Sequence, residues 1–295
     1  MSMMGEIMLV AIVVSIACCL PGVFLVLRGM TMMSDAITHS VLLGIVLTFF
    51  VTQDLSSPLL FLGAGIIGIL TVWLTEALQQ TQLMKKDAAI GLVYPLFFSI
   101  AIILITRYAG SVHLDVDSVM MGEIGFTPFT RFSLFGMDLG PQALWINLVI
   151  LVLNGSLIYL FFKELQVSTF HPAYAAALGF SPAILHYGLM TSVSITAVGA
   201  YDSVGSILVV GFMVGPALTA YLYSKNLKQM IGIAMIVATF NSIVGVYLAF
   251  QFDVAIAGMI AVVTGITVFL AFIGTLIGRR TNKKNSRNDY MLETK

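Results

Sequence analysis

The sequence predicts an all-α integral membrane protein, a polytopic bundle of eight or nine transmembrane helices. Composition is the first observation that predicts it: 59% of the 295 residues are apolar and only 9% are Asp, Glu, Lys or Arg. A soluble domain carries about 25% charged residues because water must wet its surface. A bilayer interior needs almost none. The second observation is the recurrence of apolar runs about 20 residues long, enough to cross roughly 30 Å of hydrocarbon at 1.5 Å per residue. The third is that the bases gather on alternate connections between those runs, as the positive-inside rule requires.

The first run, 7–27, has no Lys or Arg before Arg28, so it lacks the basic flank of a secretory signal and is a mature span. The run 33–52 ends at the polar pair Gln53–Asp54, and 58–79 ends ahead of Lys85 and Lys86. From those lysines 88–108 follows, and 141–162 ends at Lys163. The runs 185–201 and 204–223 flank Tyr201–Asp202–Ser203. They form either two spans or one span and a broken, partly re-entrant segment, whose backbone protein or water must bury. Runs 229–250 and 253–278 bring the count to nine. With the N-terminus outside, twelve of the fourteen bases fall on inner segments and only Arg107 and Arg131 lie outside. This places the C-terminus in the cytoplasm. Residues 1–278 form one transmembrane domain, and the charged tail 279–295 is predicted to be disordered.

Net charge is zero, so nothing electrostatic points to nucleic acid. Cys18 and Cys19 adjoin inside an apolar run and are small packing residues, because neighbouring cysteines rarely meet disulfide geometry. Gly211 and Gly215 have the small-xxx-small spacing that lets helices approach closely in lipid, here within the chain. No P-loop pattern occurs, so an ATP-driven process would need a separate ATPase.

Ionisable groups inside spans are informative because each costs about 2.5–3.5 kcal/mol at a helix centre. In MMSDAITHSVLLG, Asp35 and His39 stand four apart and share one helical face. A carboxylate and an imidazole so placed can bind one divalent cation. The same residues also admit a structural account, in which Ser34 or Asp35 caps the helix. Asp202 is a further candidate ligand, although a solvated outer turn explains it equally. His113, Asp115 and Asp117 sit on the outer loop 109–140, and Glu76 near the inner end of its span is expected to be paired or snorkelling. In the inner loop 163–184, Pro172 can start a short helix through AYAAAL that Gly179 ends.

Four ordered segments carry a resemblance. RGMTMMSDAITHSVLLGIV resembles the second-helix signature of the prokaryotic metal-ion ABC permeases that import zinc or manganese, with Ser34, Asp35, Ala36, His39, Leu42 and Gly44 matching. KKDAAIGLVYPLFFSIAIIL, FHPAYAAALGFSP and VGSILVVGFMVGPALTAYL are similar to three further segments of that family. His171, Leu218 and Tyr94–Pro95 depart from its usual residues. The resemblance implies an importer permease in which Asp35 and His39 form part of the metal path. Phe170, His171, Pro172, Ala176 and Gly179 would form the element that couples to the ATPase. It also implies a cytoplasmic ATPase subunit, an extracytoplasmic metal-binding protein and a second permease chain, identical or related. No cofactor is expected. In the bacterial cell membrane this resemblance implies, the cargo is Mn²⁺, with Zn²⁺ or Fe²⁺ the alternatives, and the second-helix segment looks closest to the manganese members. A secondary transporter would show internal repeats with interrupted helices, and a purely structural membrane protein would not need Asp35 and His39.

Overall fold

The computed structural model describes residues 3–54, 57, 59–108, 124–134 and 137–293, with the side chains of 133–138 and 278–293 outside the description. Among the described residues, eight helices are long and apolar enough to cross a membrane. They are α1 (Met3–Leu27), α2 (Thr31–Thr52), α3 (Leu59–Gln80), α4 (Lys86–Tyr108) and α5 (Gln142–Leu160), then α8 (Pro182–Tyr223), α9 (Leu227–Phe252) and the apolar part of α10 (Ile256–Glu293). Two short helices, α6 (Phe162–Phe170) and α7 (Pro172–Ala177), fill the connection between α5 and α8. A 3-10 turn at Ile124–Phe126 and an antiparallel ribbon of β1 (Arg131–Leu134) and β2 (Met137–Pro141) precede α5. The apolar runs did not announce that ribbon. Its signal is the strict polar–apolar alternation Arg131–Phe132–Ser133–Leu134.

The two spans expected on either side of Tyr201–Asp202–Ser203 are the arms of one element. Helix α8 breaks at Gly205, whose φ of 77° and ψ of 166° are not helical. The break folds the element back. A straight helix would separate His186 from Met213 by about 40 Å. Yet His186 touches Arg28 at 3.1 Å, and Gly22, six residues before Arg28, packs against the Met213 backbone. Those six residues cover only about 9 Å, so the two contacts hold His186 and Met213 well inside the straight-helix distance. The second arm runs parallel to α10, with Gly215 on Thr264 and Tyr223 on Ala271. The first arm runs antiparallel to α5, with Asn154 bonded to Thr196 and Asn147 to Ser203.

Both ends of α8 therefore lie at the Arg28 end of the bundle, where the Lys228 ammonium also sits over the Phe162 ring at 5.7 Å. Among the described residues, the eight apolar helices run along the bundle an odd number of times once the two arms of α8 are counted separately. Helices α1 and α10 begin at the same, opposite end, both against the Ile124–Phe126 turn. Bases segregate accordingly. Arg28, Lys86 and Lys228 gather at one end, while Arg131 at the other donates from Nη2 to both carboxylate oxygens of Glu6 at 3.1 Å.

Helix α1 is the hub, packed on α5, α8 and α9. In lipid, helices associate through close van der Waals contact and interhelical hydrogen bonds, and both are present. A Cβ on Gly22 would overlap the Met213 carbonyl, and one on Gly44 would overlap the Gly63–Ala64 backbone. Of the pair Gly211 and Gly215, only Gly215 packs, against Thr264 within the chain, while Gly211 meets nothing. Asn154 Nδ2 donates to the Ala17 carbonyl at 3.0 Å and to Thr196 Oγ1 at 2.7 Å, and its Oδ1 accepts from Ser192 at 2.6 Å. Cys18 and Cys19 are free and fully buried in this core.

The backbone of α10 runs helical to Glu293, into the charged segment 279–295. Extending an existing helix avoids the unfavourable nucleation step that an isolated charged segment would face. Residues 294–295 lie outside the described residues.

Candidate metal centre

Helix α2 starts at Thr31, directly after the tight α1–α2 turn, where Met30 N–H bonds the Leu25 carbonyl at 2.8 Å. Its N-cap is Met30, which makes no side-chain cap bond. The capping account of Ser34 and Asp35 is therefore not what the helix uses. Ser34 Oγ donates to the Thr31 carbonyl at 2.8 Å, Thr38 Oγ1 to Asp35 at 2.9 Å, and Ser40 Oγ to Ala36 at 2.6 Å. These hydroxyls are satisfied by the helix itself. Asp35 and His39 remain to project together, one turn apart.

Asp35 Oδ1 lies 3.4 Å from His39 Nε2, and their side chains are 32% and 20% exposed. The pair sits about 6 and 12 Å along α2 from its start, inside the span but reachable. Helix α4 supplies the wall. The His39 ring stacks on Tyr94 with centroids 5.7 Å apart and planes 30° apart, and Phe98 meets it edge-on at 5.7 Å. Tyr94 and Phe98 are one turn apart on one face of α4. Together they fix the plane of the imidazole and leave its Nε2 turned to the Asp35 carboxylate. A hard oxygen and a borderline nitrogen held this close suit a first-row divalent ion. Sequence reasoning noted Tyr94–Pro95 only as a departure from the family's small residues. The departure itself was the signal, because a ring in that place can lie over the histidine one helix away.

Among the described residues, no group of three or more His, Cys, Asp and Glu side chains gathers to hold a metal. Asp202 is not brought to the Asp35–His39 pair. It stands exposed near the Gly205 break, about 24 Å along α8 from His186. His113, Asp115 and Asp117 lie outside the described residues.

Glu76 is paired, as expected, with His186 on α8 as the partner. That bond belongs to a cluster the sequence did not disclose. Arg28 donates from Nε to Thr169 Oγ1 and from Nη2 to Ser168 Oγ, each at 3.2 Å, and its Nη1 meets His186 Nδ1 at 3.1 Å. Partial burial lowers the Arg28 pKa from its ordinary value, a desolvation these three bonds offset.

Within 163–184 the short helix bounded by Pro172 and Gly179 forms as its residues predict, whereas Phe162–Phe170, expected as loop, is the helix α6. Pro172 occupies the first turn of α7, after His171 at its N-cap. Gly179, at φ 88°, lets Phe180 N–H reach back to the Ala175 carbonyl at 3.1 Å, the left-handed closure that glycine favours. Phe170, Tyr174 and Leu178 are each half or more exposed, and Ala176 is exposed between them. The result is a short, small-residue helix with an apolar outer surface at the Arg28 end of the bundle.

The ABC 3 transport family matches residues 1–275. The chain belongs to the ABC 3 transport family. It is 48% identical over 268 residues to the zinc transport system membrane protein TroD of Treponema pallidum, covering 91% of this chain and 73% of that one. It is 39% identical over 273 residues to the manganese transport system membrane protein MntD of Bacillus subtilis, covering 92% of each. Among solved structures, PsaBC from Streptococcus pneumoniae in complex with Fab superposes with a TM-score of 0.76. That match has 30% identity and covers 92% of this chain and 91% of that one. As an ABC 3 family member the chain is a multi-pass permease subunit of a bacterial ABC transporter. It is not itself an enzyme, ATP hydrolysis residing on a separate subunit.

Proposed function

We propose that the chain imports divalent metal ions, manganese above all, as the transmembrane subunit of an ATP-driven transporter. Asp35 and His39 would be protein ligands on the translocation path. The observation that carries this reading is the Asp35–His39 pair itself, two ligating side chains 3.4 Å apart in a span, partly accessible and free of capping duty. A carboxylate and an imidazole give a dehydrating ion replacement donors, and the carboxylate offsets part of its charge. Oxygen and nitrogen donors without thiolate favour the harder manganese, since Cys18 and Cys19 are buried in α1 away from the pair. Zinc is the second reading, favoured by the 48% identity to a zinc system protein. Two permease chains enclose the path, an extracytoplasmic metal-binding protein delivers the ion, and ATPase subunits dock on α6 and α7. Reconstitution in liposomes with the ATPase tests the whole reading. ATP-dependent uptake of radioactive manganese, competed by zinc, is expected. Uptake driven by a proton or sodium gradient without ATP would replace it with a secondary transporter.

The segregation of bases supports an N-terminus outside and a cytoplasmic Arg28 end. A cysteine at Leu178, which is 51% exposed, should resist impermeant thiol reagents in intact cells, and one at Phe129, 70% exposed, should label. Buried Cys18 and Cys19 leave a clean background. The reverse pattern would overturn the orientation and the docking assignment together.

Docking has its own test. Ala176 is exposed and Gly179 needs its positive φ, so Ala176→Glu or Gly179→Pro should disrupt the docking helix without disturbing the spans. Uptake should fall about tenfold or more, the scale of burying an unpaired charge at an interface. Normal uptake together with normal ATPase co-purification would refute the docking role.

A further inference from the structure

We propose that Arg28 and His186 are positioning residues for transport, forming the joint through which movement of the ATPase-docking segment reaches the metal-bearing helix. This rests on the importer reading above and adds the route by which the two sites communicate.

The joint is built from four elements. Arg28 occupies the α1–α2 turn and gives hydrogen bonds to Ser168 and Thr169, the last residues of α6 before the docking helix. Its remaining nitrogen donates to His186 at the foot of α8, and His186 in turn bonds Glu76 on α3, which Tyr187 also contacts. A guanidinium can only donate, so His186 Nδ1 accepts and Nε2 carries the hydrogen given to Glu76. Each of the three Arg28 nitrogens and both ring nitrogens of His186 thereby has a partner, with Ser168 buried and the Glu76 and His186 side chains only 16% and 20% exposed. Hydrogen bonds to charged groups in such a low-dielectric setting are the strong ones.

Position gives the cluster its role. Arg28 stands seven residues before Asp35 and eleven before His39. The turn between is clamped by the Gly29 and Met30 backbone bonds at 3.1 and 2.8 Å, and α2 follows as a continuous helix. A displacement of Thr169 is thus carried by one rigid planar group into the start of the helix that holds the ligands. Spacing along the sequence hides this, because the partners are 140, 141 and 158 residues from Arg28. A second metal site is not an alternative for the cluster. The Lys86 ammonium already sits against the Glu76 carboxylate with Arg28 nearby, and the accepting nitrogen of His186 already faces Arg28.

The test compares four proteins, each assembled with its ATPase in liposomes: wild type, Arg28→Ala, His186→Leu and His186→Gln. The glutamine amide offers an acceptor and a donor on one planar group and can replace the ring, whereas leucine cannot. Manganese moved per ATP hydrolysed should fall about tenfold or more in Arg28→Ala and His186→Leu, the scale of losing hydrogen bonds to a charged group. His186→Gln should recover most of the ratio. ATP hydrolysis and manganese binding to the detergent-solubilised complex without ATP should be little changed in all four. A wild-type ratio in both loss variants would overturn the proposal. So would equal loss in His186→Gln and His186→Leu accompanied by lower melting temperatures, which would assign the cluster a merely structural role. Should Arg28→Ala fail to assemble, the leucine and glutamine pair decides alone. A wild-type complex that hydrolyses ATP and moves neither manganese nor zinc would overturn the importer reading and this inference with it. The wild-type sample distinguishes that outcome from failure of the joint.

Discussion

Asp35→Asn is expected to abolish metal uptake, by about 100-fold or more, since altering even the groups that orient a metal ligand costs about 10–100-fold. The two side chains have the same shape, and asparagine caps a helix as well as aspartate does. A capping role would therefore tolerate the change. The helix is capped by Met30 without a side-chain bond, so removing the charge should leave α2 folded and the chain at normal abundance in the membrane. What is lost is the anion that offsets the ion's dehydration. His39→Ala should match it, removing the nitrogen that Tyr94 and Phe98 hold in place. His171→Ala, at the N-cap of α7, should leave metal selection intact. The assay is radioactive manganese or zinc uptake in cells lacking other importers, with abundance checked by immunoblot. Wild-type uptake from a well-expressed Asp35→Asn chain would end the ligand assignment.

Gly205→Ala is expected to be a strongly damaging small substitution in the core of the fold. At φ 77° and ψ 166° the residue occupies a region that is essentially glycine's alone, and a Cβ there costs about 1–3 kcal/mol in strain. The alternative open to the chain is worse. If the residue relaxed to helical angles, α8 would straighten, and Met213 and His186 could not both keep their places beside α1. Gly211→Ala on the same arm is the control. Nothing lies within 4 Å of the added carbon, so helix propensity alone acts and favours alanine by about 1 kcal/mol. Melting temperatures in detergent should drop sharply for the first variant and hold or rise for the second. Equal stability of the two would mean that the break is not needed.

Much of this fold was legible because a bilayer makes two demands that sequence displays directly, apolar length and segregated charge. The runs 33–52, 58–79 and 88–108 lie within two residues of α2, α3 and α4. The Pro172 start and Gly179 stop of α7 were legible for a local reason, since both depend on one residue's own backbone preferences. The Asp35–His39 pair was legible through its four-residue spacing on a helix. What could not be read depended on distant segments meeting. His186 is an ordinary residue in an apolar run until the fold sets it beside Arg28 and Glu76, 158 and 110 residues away. The fold-back of α8 was left open between two spans and a broken one, because Gly205 looks like any other glycine in a membrane helix. Its role appears only in the backbone angles.

The fold-back also bears on how the chain is made. A helix that crosses the membrane once commits its two flanks to opposite sides while the ribosome is still extending it. The bent α8 does not, because Pro182 and Tyr223 finish at the same end of the bundle. The segment can enter the bilayer as a single loop, with only its apex around Asp202 and Gly205 moving inward. With the Arg28 end cytoplasmic, as proposed, the bases that resist translocation, Lys163 before it and Lys225 and Lys228 after it, stay where synthesis left them. The forty-two residues of α8 then leave the topology of everything downstream unchanged, so α9 and α10 can be threaded as though α8 had never been inserted.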